Sequence, residues 1–464
     1  MQKDLADFTI KYLEKKGASY SEARLMQIDS SNFLLKNGNP EYSNFGSSSG
    51  LAIRFIKNNV LRFCSTNILE KNKIKTIIES ALKLSNPKIS KKTEFSDFLN
   101  QKAKYVVKQK KKLADMPPEK KLDLLKEIDS NFKDLLGRYF ELGDDVTKKY
   151  FINSEGTKVE SEIPTIGFLY FLTISEKNKT IQRYLEYGSC SGYEILKKWN
   201  LIKNMKKEVE ALKNNLNHGI KPPKGKIDII AGPEVTGIAC HEACGHPYEA
   251  DRIFGRESAQ AGESFVTEKM IDTRIGSDVV TIVDDPTIEN SYGFYKYDDE
   301  GVKARRKILM KKGFIHEFLH DRETSKQMNL KSNGSARAVN TAVEPLVRMS
   351  NTFMLPGKQT EEELIEGIKH GVFIKNFMEW NIDDKRFNQK YTGSEAYLIK
   401  NGKIDKPVIH PSLEITTPAL FSSIDAVANN LKLTAGTCGK GEPMQGIPVT
   451  MGGPSIRLRR IRLA

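Results

Sequence analysis

The 464-residue chain has few cysteines, few histidines and only two tryptophans. Its five cysteines form an odd and sparse set, which argues against a disulfide framework and favours a reducing compartment. No apolar run is long enough to cross a bilayer, and the most apolar stretch, 163–175, is interrupted by Pro164 and Gly167. The first residues include acids and have no apolar core. We therefore expect no signal peptide, no membrane attachment and a cytoplasmic location.

The charge balance is basic, with 73 lysines and arginines against 59 acids and a net charge of +14. Two basic runs, KQKKK (108–112) and RLRRIRL (457–463), keep a nucleic-acid-associated protein open as an alternative. Charge runs are more often solvated surface, and the sequence has no recognisable DNA- or RNA-binding module. A positive net charge permits anionic partners without identifying one, so nucleic acid is not the favoured ligand.

Periodicity predicts two domains that differ in secondary structure, one with alternating helices and strands and one with mostly strands, and so an α+β fold. The segment HGIKPPKGK (218–226) breaks the helical pattern, so we expect an N-terminal α/β domain over 1–220. Residues 221–464 contain many short apolar stretches between Gly, Asn and Asp, typical of a mostly antiparallel β domain with a few helices. Within the first domain we predict helices at 3–16, 68–84 and 193–217, a helical region around 98–137, strands at 20–29, 51–57, 147–153 and 158–175, a hairpin turn at Asn58–Asn59, and a loop at 44–50.

The stretch HEFLH (316–320) matches H-E-x-x-H, a pattern of zinc metallopeptidases. It follows the turn residues 311–313 between two apolar runs, which predicts a hairpin strand with Phe314, His316, Phe318 and His320 on one face. On a strand the two histidines would lie about 13 Å apart, because each residue rises about 3.3 Å. One zinc ion cannot bind both, so we do not favour a metal site here.

The stretch HEACGH (241–246) has one more residue between its histidines. Gly232 and Pro233 predict a helix start, and on a regular helix His246 would lie about 140° from His241. Gly245 and Pro247 provide a cause for distortion, since a kink or a π-bulge would bring both histidines to one face. Spacing alone leaves two interpretations open, a metal site or a capped helix with two polar histidines.

A metal site would need a third ligand, and the glycine-rich segment 434–453 is the richest source because it contains Cys438. Two histidines, a thiolate and an open position would suit a catalytic zinc ion. Cys240 and Cys244 beside the histidines are rival ligands, although helix cysteines are more often buried packing residues. A closed structural zinc site built from these two cysteines and the histidines is therefore a second alternative.

Several stretches together resemble the TldD-like, metal-competent branch of the TldD/PmbA family, the modulator of DNA gyrase family. They are HEACGH followed by acidic positions, YDDEGVKARRKILMKKGFI (297–315), VRMSNTFMLPG (347–357), GSEAYLIKNGKIDKPV (393–408) and LTAGTCGKG (433–441). The resemblance implies a zinc peptidase of unfolded or loosely folded peptides. It assigns His241, His246 and Cys438 as zinc ligands and Glu242 as the catalytic glutamate. It also implies a two-domain protomer that forms a homodimer or a heterodimer with a PmbA-like subunit.

The implied chemistry agrees with the properties of these groups. Zinc lowers the pKa of bound water toward about 7 and polarises a carbonyl. Glu242, next to a ligand, would accept the proton of the water and deliver it to the leaving amine. We expect the peptide to bind in extended form by adding a strand to an exposed sheet edge.

Overall fold

The computed structural model describes residues 1–84, 92–256 and 263–463. No helix among these residues is long and apolar enough to cross a membrane. Mixed helices and sheets, with a predominantly β second half, confirm the predicted α+β class. The domain boundary at 220/221 stays a prediction.

The N-terminal half of the chain folds around one sheet of seven strands. The strands are β1 (Tyr20–Lys36), β2 (Asn39–Lys57), β3 (Val60–Thr66), β4 (Lys102–Val106), β5 (Gly137–Asn153), β6 (Lys158–Glu176) and β7 (Lys179–Ser189). Their order is β3-β2-β1-β5-β6-β4, and β7 also pairs with β6. Only the β4–β6 pair in this sheet is parallel. Strand β7 is thus left at an edge that faces the second half of the molecule.

Helices cover the sheet with their apolar sides. In the described part of this half they are α1 (Lys3–Lys15), α2 (Lys71–Lys83), α3 (Pro118–Ser130), α4 (Ile195–Trp199) and α5 (Leu201–His218), with a 3-10 turn at Leu113–Asp115. Leu13 and Ile78, from α1 and α2, pack against Ile53 of β2. Met205 of α5 packs in a second cluster with Phe168 of β6. Burial of each amphipathic stripe fixes these helices on the sheet.

Most of the predicted elements in this half are present, two predictions were wrong, and one predicted helix is present with an interruption. Residues 44–50 belong to β2 because they pair with β1 along an exposed ribbon, not to a loop. The region 98–137 contains β4 and only one α-helix, which begins at Pro118 as expected. The helix predicted over 193–217 is interrupted at Asn200, whose φ of 47° is left-handed. The hairpin turn at Asn58–Asn59 is confirmed, with both residues at positive φ.

Short strands dominate the second half. They are β8 (Lys226–Ala231), β9 (Ile282–Asp284), β10 (Lys307–Lys311), β11 (Phe314–Ile315), β12 (Ala336–Arg337), β13 (Leu346–Val347), β14 (Asn351–Met354), β15 (His370–Ile374), β16 (Phe377–Ile382), β17 (Asn388–Gly393), β18 (Ala396–Lys400), β19 (Lys403–Pro407), β20 (Ser412–Thr416), β21 (Ile424–Val427), β22 (Lys432–Lys440), β23 (Gln445–Gly453) and β24 (Ile456–Arg462). Two six-stranded sheets, ordered β11-β10-β9-β14-β23-β22 and β19-β18-β15-β8-β24-β21, enclose most of the core. Two smaller sheets, β16-β17-β20 and β12-β13, complete this half.

Helices in this half are short. They are α6 (Pro233–Cys240), α7 (Ala250–Ile253), α8 (Arg322–Gln327), α9 (Glu361–Glu366) and α10 (Thr417–Ser422), with 3-10 turns at His246–Tyr248 and Glu268–Met270 and a π-helical turn at His241–Gly245. Helix α6 is buried along most of its length, whereas α9 and α10 each keep an exposed side. Except for the parallel β8–β15 and β14–β23 pairs, the strand pairs in the described sheets of this half are antiparallel.

Buried ion pairs join the two halves. Arg183 of β7 reaches Glu234 at the start of α6, with Nη1 2.6 Å from Oε1. Arg54 of β2 pairs with Glu300, with Nη2 2.5 Å from Oε1. Both arginines are almost fully buried, and each also pairs with a carboxylate of its own half, Glu208 for Arg183 and Glu22 for Arg54. The Arg183–Glu234 pair holds the edge strand β7 beside α6, the helix that leads into HEACGH.

Candidate metal centre

The helix that leads into HEACGH begins at Pro233, directly after β8 and Gly232. Proline suits a first helical turn because the N–H that it lacks would have no partner there. The helix is buried nearly all round. Gly237 lies against β23, where an added Cβ would come within 3.0 Å of the Gly452 backbone. This close approach fixes the end of the helix against the sheet that carries β22.

The helix widens into a π-turn at the motif. The N–H of His246 donates to the carbonyl of His241, a bond across five residues that an α-helix does not make. The two imidazole rings consequently lie on one face, with centroids 4.9 Å apart. Gly245 permits the turn, since an added Cβ would lie 1.9 Å from Sδ of the buried Met349. Pro247 follows in a 3-10 turn. The predicted distortion of the helix is confirmed.

Strand β22 brings Cys438 to the two histidines. Its Sγ lies 3.4 Å from Nε2 of His246, and one ligand atom from each of His241, His246 and Cys438 lies within 4.8 Å of the others. All three side chains are buried. Within the described ranges, this is the one group of three or more His, Cys, Asp or Glu residues with such spacing. Two nitrogens and a sulfur, with room for a fourth ligand, suit a zinc ion.

The charges around Cys438 favour its thiolate. Burial alone would raise the pKa of this thiol, but His246, Arg348 and His241 together hold the pKa well below its usual value. Burial also lowers the pKa of His246 well below its usual value, which favours a neutral imidazole. Arg348 is fully buried and donates to the Cys438 carbonyl. Burial alone would also lower the pKa of His241, but the neighbouring Cys438 thiolate and carboxylates raise it above its usual value, so this imidazole must give up its proton when a metal binds.

A second layer of contacts orients His246. Its Nδ1 lies 3.0 Å from Oε2 of Glu249, which leaves Nε2 directed toward Cys438. Nζ of Lys440 lies 3.3 Å from the same Glu249 oxygen, so a cation compensates this buried carboxylate. By contrast, buried Nδ1 of His241 has no hydrogen-bond partner among the described residues. In the described part of the chain, His241 thus lacks the oriented second contact that Glu249 gives to His246.

Glu242 opens onto a cavity of about 220 Å³ that the three potential ligands also line. Its Oε2 is 4.0 Å from Nε2 of His246 and 2.6 Å from Nη1 of Arg386. The cavity lies between the two halves, bounded by β7, α6, β16 and β22. Among its other lining residues are Tyr184, Leu185, Glu186, Phe377, Trp380, Thr434, Ala435, Gly436, Thr437 and Met451.

The HEFLH stretch has a different structure. The predicted turn and hairpin are present, but the strand ends at Ile315 and does not continue to His320. The carboxylate of Glu317 accepts the N–H of Ile308 at 2.7 Å, taking the place of a backbone partner. His316 is exposed and His320 is buried. Among the described residues, neither belongs to a group with metal-ligand spacing.

The rival cysteines are buried beside the site without joining it. Cys240 and Cys244 are fully buried in the core, and burial raises the pKa of both thiols. Neither belongs to the ligand group found in the described part of the chain. Their surroundings agree with a packing role, because a thiol in apolar surroundings is held neutral.

Sequence reasoning missed three residues that surround the site. Glu249 follows His246 by three residues, a spacing that places it on the same side of a helical turn. Lys440 lies two residues after Cys438, on the same face of β22. Both could have been found from local spacing. Arg386 lies 144 residues from Glu242 and has no such signal, since only the tertiary fold brings it there.

Comparison with known protein families gives matches along the chain. The model of the PmbA/TldA metallopeptidase C-terminal domain matches residues 224–464. The models of the central domain and of domain 1 match residues 111–213 and 21–85.

Individual proteins and solved structures are also similar to this chain over nearly its whole length. The chain is 31% identical over 447 residues to a metalloprotease of Methanocaldococcus jannaschii, covering 94% of this chain and 95% of the relative. It is 24% identical over 457 residues to a protein of Saccharolobus solfataricus named zinc metalloprotease TldD homolog, covering 98% of both. The fold is similar to that of TldE from Thermococcus kodakarensis, with a TM-score of 0.76, 18% identity, and coverage of 99% of this chain and 100% of the other.

Proposed function

The chain belongs to the PmbA/TldA metallopeptidase family, and we propose that it hydrolyses extended peptides with a zinc ion bound by His241, His246 and Cys438. The observation that carries this proposal is the buried group of two imidazoles and a thiol, with ligand atoms within 4.8 Å, on the wall of a cavity that Glu242 shares. The name of the S. solfataricus relative specifies zinc, and the donor set suits that metal.

Glu242 acts as the general base. A bound zinc ion supplies Lewis acidity for the scissile carbonyl and makes a water molecule more acidic. The Glu242 carboxylate, one residue from His241 and facing the cavity, accepts a proton from the attacking water and passes it to the leaving amine. Glu242 and the three proposed ligands are buried, so solvent screens their interactions less than it would in bulk water.

The substrate binds as an extra strand along β22. This strand is the last of its six-stranded sheet, pairing with β23 on one side, and its residues 434–439 line the cavity on the other. An unpaired sheet edge binds a peptide through backbone hydrogen bonds, with little dependence on sequence. A compact protein cannot enter a cavity between two domains, so the substrates are unfolded or flexible segments.

The functional unit is a dimer, either of two such chains or with a PmbA-like subunit. The similarity to TldE supports a partner of this fold. Sedimentation of the purified protein, alone and with a PmbA-like chain from the same genome, distinguishes the two assemblies. A monomer under both conditions would contradict this part of the proposal.

Two alternatives gain no support from the described residues. A closed structural site would need Cys240 or Cys244 in the ligand group, which contains neither. The nucleic-acid alternative depends on the basic runs, and the lysines of 108–112 are exposed, as the charges of an ordinary solvated surface also are. Arg457 and Arg459 instead pair with Asp425, at 2.9 and 2.7 Å, within a sheet.

The test compares Glu242→Gln with Glu317→Gln, the matched change in HEFLH. Each variant is purified and its zinc content measured, and hydrolysis of a denatured protein is followed by mass spectrometry. We expect Glu242→Gln to keep zinc and lose hydrolysis, and Glu317→Gln to keep both. Hydrolysis by Glu242→Gln at the wild-type rate would refute the role of Glu242.

A further inference from the structure

The turn between β16 and β17 holds an arginine in an unusual backbone conformation beside the proposed general base. Arg386 has a φ of 62°, in the left-handed region that non-glycine residues rarely occupy. Its carbonyl accepts from Oγ1 of Thr417 at 2.7 Å and from Nε2 of Gln389 at 3.0 Å. Asp383 caps the same turn by accepting the N–H of Phe387 at 2.7 Å. Strained residues held by such contacts cluster at functional sites.

The conformation directs the guanidinium into the cavity. Nη1 donates to Oε2 of Glu242 at 2.6 Å, and the side chain shares the cavity wall with the three proposed zinc ligands. Nε of Arg386 is buried and has no acceptor among the described residues. A guanidinium has five N–H donors, so this cation retains capacity to bind another oxygen beside Glu242.

Peptide hydrolysis creates negative charge on the carbonyl oxygen of the substrate, close to the general base. When water attacks, its oxygen bonds to the carbonyl carbon, one proton passes to Glu242, and the π electrons move to the carbonyl oxygen. Glu242 loses its charge in the same step, so its ion pair with Arg386 weakens as the oxyanion forms. A cation already fixed at this position needs little reorganisation to stabilise the new anion.

We propose that Arg386 is a catalytic residue that donates hydrogen bonds to the carbonyl oxygen of the substrate as it becomes an oxyanion. This inference rests on the proposed peptidase function. It makes Arg386 a part of the active site, although this residue comes from the small β16-β17-β20 sheet and not from the elements that carry the zinc ligands.

The rival explanation is that Arg386 only orients Glu242. The two differ in what a transition-state mimic would detect. A phosphinic peptide has a tetrahedral, anionic phosphorus group in place of the scissile carbonyl. If Arg386 contacts the oxyanion directly, it also contacts the phosphinic group of this analogue, and that contact remains in a variant whose residue 242 carries no charge.

The variants follow from the turn itself. Arg386→Met removes the charge and keeps a Cβ at the left-handed position, and Arg386→Lys restores a charge without the planar fork. Lys385→Met is the matched control, because Nζ of Lys385 lies 3.4 Å from the exposed Glu263 and its side chain is absent from the cavity wall. Zinc content is measured first and should be unchanged in all three variants.

Kinetics are then measured on a peptide whose cleavage site in the wild type is known. We expect Arg386→Met to lower kcat about 100- to 1000-fold, the usual effect of losing an oxyanion donor, with KM within about threefold. Arg386→Lys should recover part of the loss, and Lys385→Met should equal wild type. An unchanged kcat in Arg386→Met would overturn the proposal. A wild type that cleaves no peptide would instead refute the proposed function.

The phosphinic analogue of that peptide is finally titrated against Glu242→Gln and the Glu242→Gln, Arg386→Met double variant. A loss of affinity of about 100-fold on adding Arg386→Met, while binding of the uncleaved peptide stays within about threefold, supports direct contact. Equal affinity of the analogue in the two proteins would overturn it, and would leave Arg386 as a residue that positions Glu242.

Discussion

The two histidine motifs of this chain differ in how well their spacing predicts whether their histidines lie together. HEFLH matches the spacing of zinc peptidases, yet one of its histidines is exposed and the other is buried beside Thr324. HEACGH has a spacing that a regular helix cannot use, yet a π-turn aligns its histidines with centroids 4.9 Å apart. A motif spacing is therefore meaningful only on the backbone that carries it, and the residues that shape that backbone deserve equal weight.

The comparison also shows how much of a site depends on partners from elsewhere. HEACGH receives Cys438 from β22 and a cation from Lys440. The histidines of HEFLH lack a third ligand of this kind among the described residues. Four substitutions test this difference between the motifs, and the one with the greatest predicted consequence comes first.

Removing the third ligand should have the largest effect. Cys438→Ala is expected to lose zinc and all peptide hydrolysis, because two histidines alone bind zinc weakly compared with a three-ligand site. Cys244→Ala is the matched control, since this buried thiol lies outside the ligand group. Zinc content by atomic absorption checks both variants. Full zinc in Cys438→Ala would mean that the third ligand lies elsewhere.

The buried histidine of HEFLH should control stability in acid instead of metal binding. Burial lowers the pKa of His320 to about 4. Between about pH 6.5 and pH 4 this imidazole is therefore protonated in the unfolded chain but neutral in the folded protein. Because the unfolded chain binds the extra proton, the free energy of unfolding falls as the pH falls from about 6.5 to about 4, by about 3 kcal/mol in total. Above about pH 6.5 this loss is absent. His320→Gln should remove this part of the pH dependence in denaturant unfolding and keep zinc. A wild-type slope in the variant would contradict the assignment.

The π-turn should be sensitive to one methyl group. Gly245→Ala places a Cβ 1.9 Å from Sδ of the buried Met349. We expect it to destabilise the protein by about 1–3 kcal/mol, as overpacking does, and to weaken zinc binding by moving His246. Gly46→Ala is the control, because an added Cβ there meets nothing within 4 Å. Thermal unfolding compares the two, and equal stability would show that the turn tolerates a side chain.

The carboxylate behind His246 should have the smallest effect of the four. Glu249→Gln keeps the shape of the side chain but removes the charge that orients Nδ1 of His246. Loss of such a contact lowers metal affinity by about 10- to 100-fold, so zinc should remain bound but exchange more readily with a chelator. Competition with a fluorescent chelator measures this shift. Wild-type affinity would show that the contact does not tune the site.

Local physics explains which parts of this structure were predictable. Amphipathic periodicity defined α1 and α2, paired asparagines defined the turn at Asn58–Asn59, and Gly245 with Pro247 indicated the distorted helix. The exposed arm of β2 over residues 44–50 was missed because its strand conformation comes from pairing with β1 and not from its composition.

Long-range contacts account for what was missed at the site. Arg386 reaches Glu242 only because the β16–β17 turn folds over the cavity, and nothing in the residues around it distinguishes it from an ordinary surface arginine. Lys440 and Glu249 were within reach of local reasoning, but their pairing at 3.3 Å depends on the approach of β22 to the motif.

The most direct measurement is the zinc content of three purified proteins: the wild type, His241→Ala, and the double variant His316→Ala, His320→Ala. We predict about one zinc ion per chain in the wild type and in the double variant, and almost none in His241→Ala, because in the described part of the chain HEACGH is the motif that a third ligand joins. Loss of zinc from the HEFLH double variant with retention in His241→Ala would contradict the assignment of the metal centre.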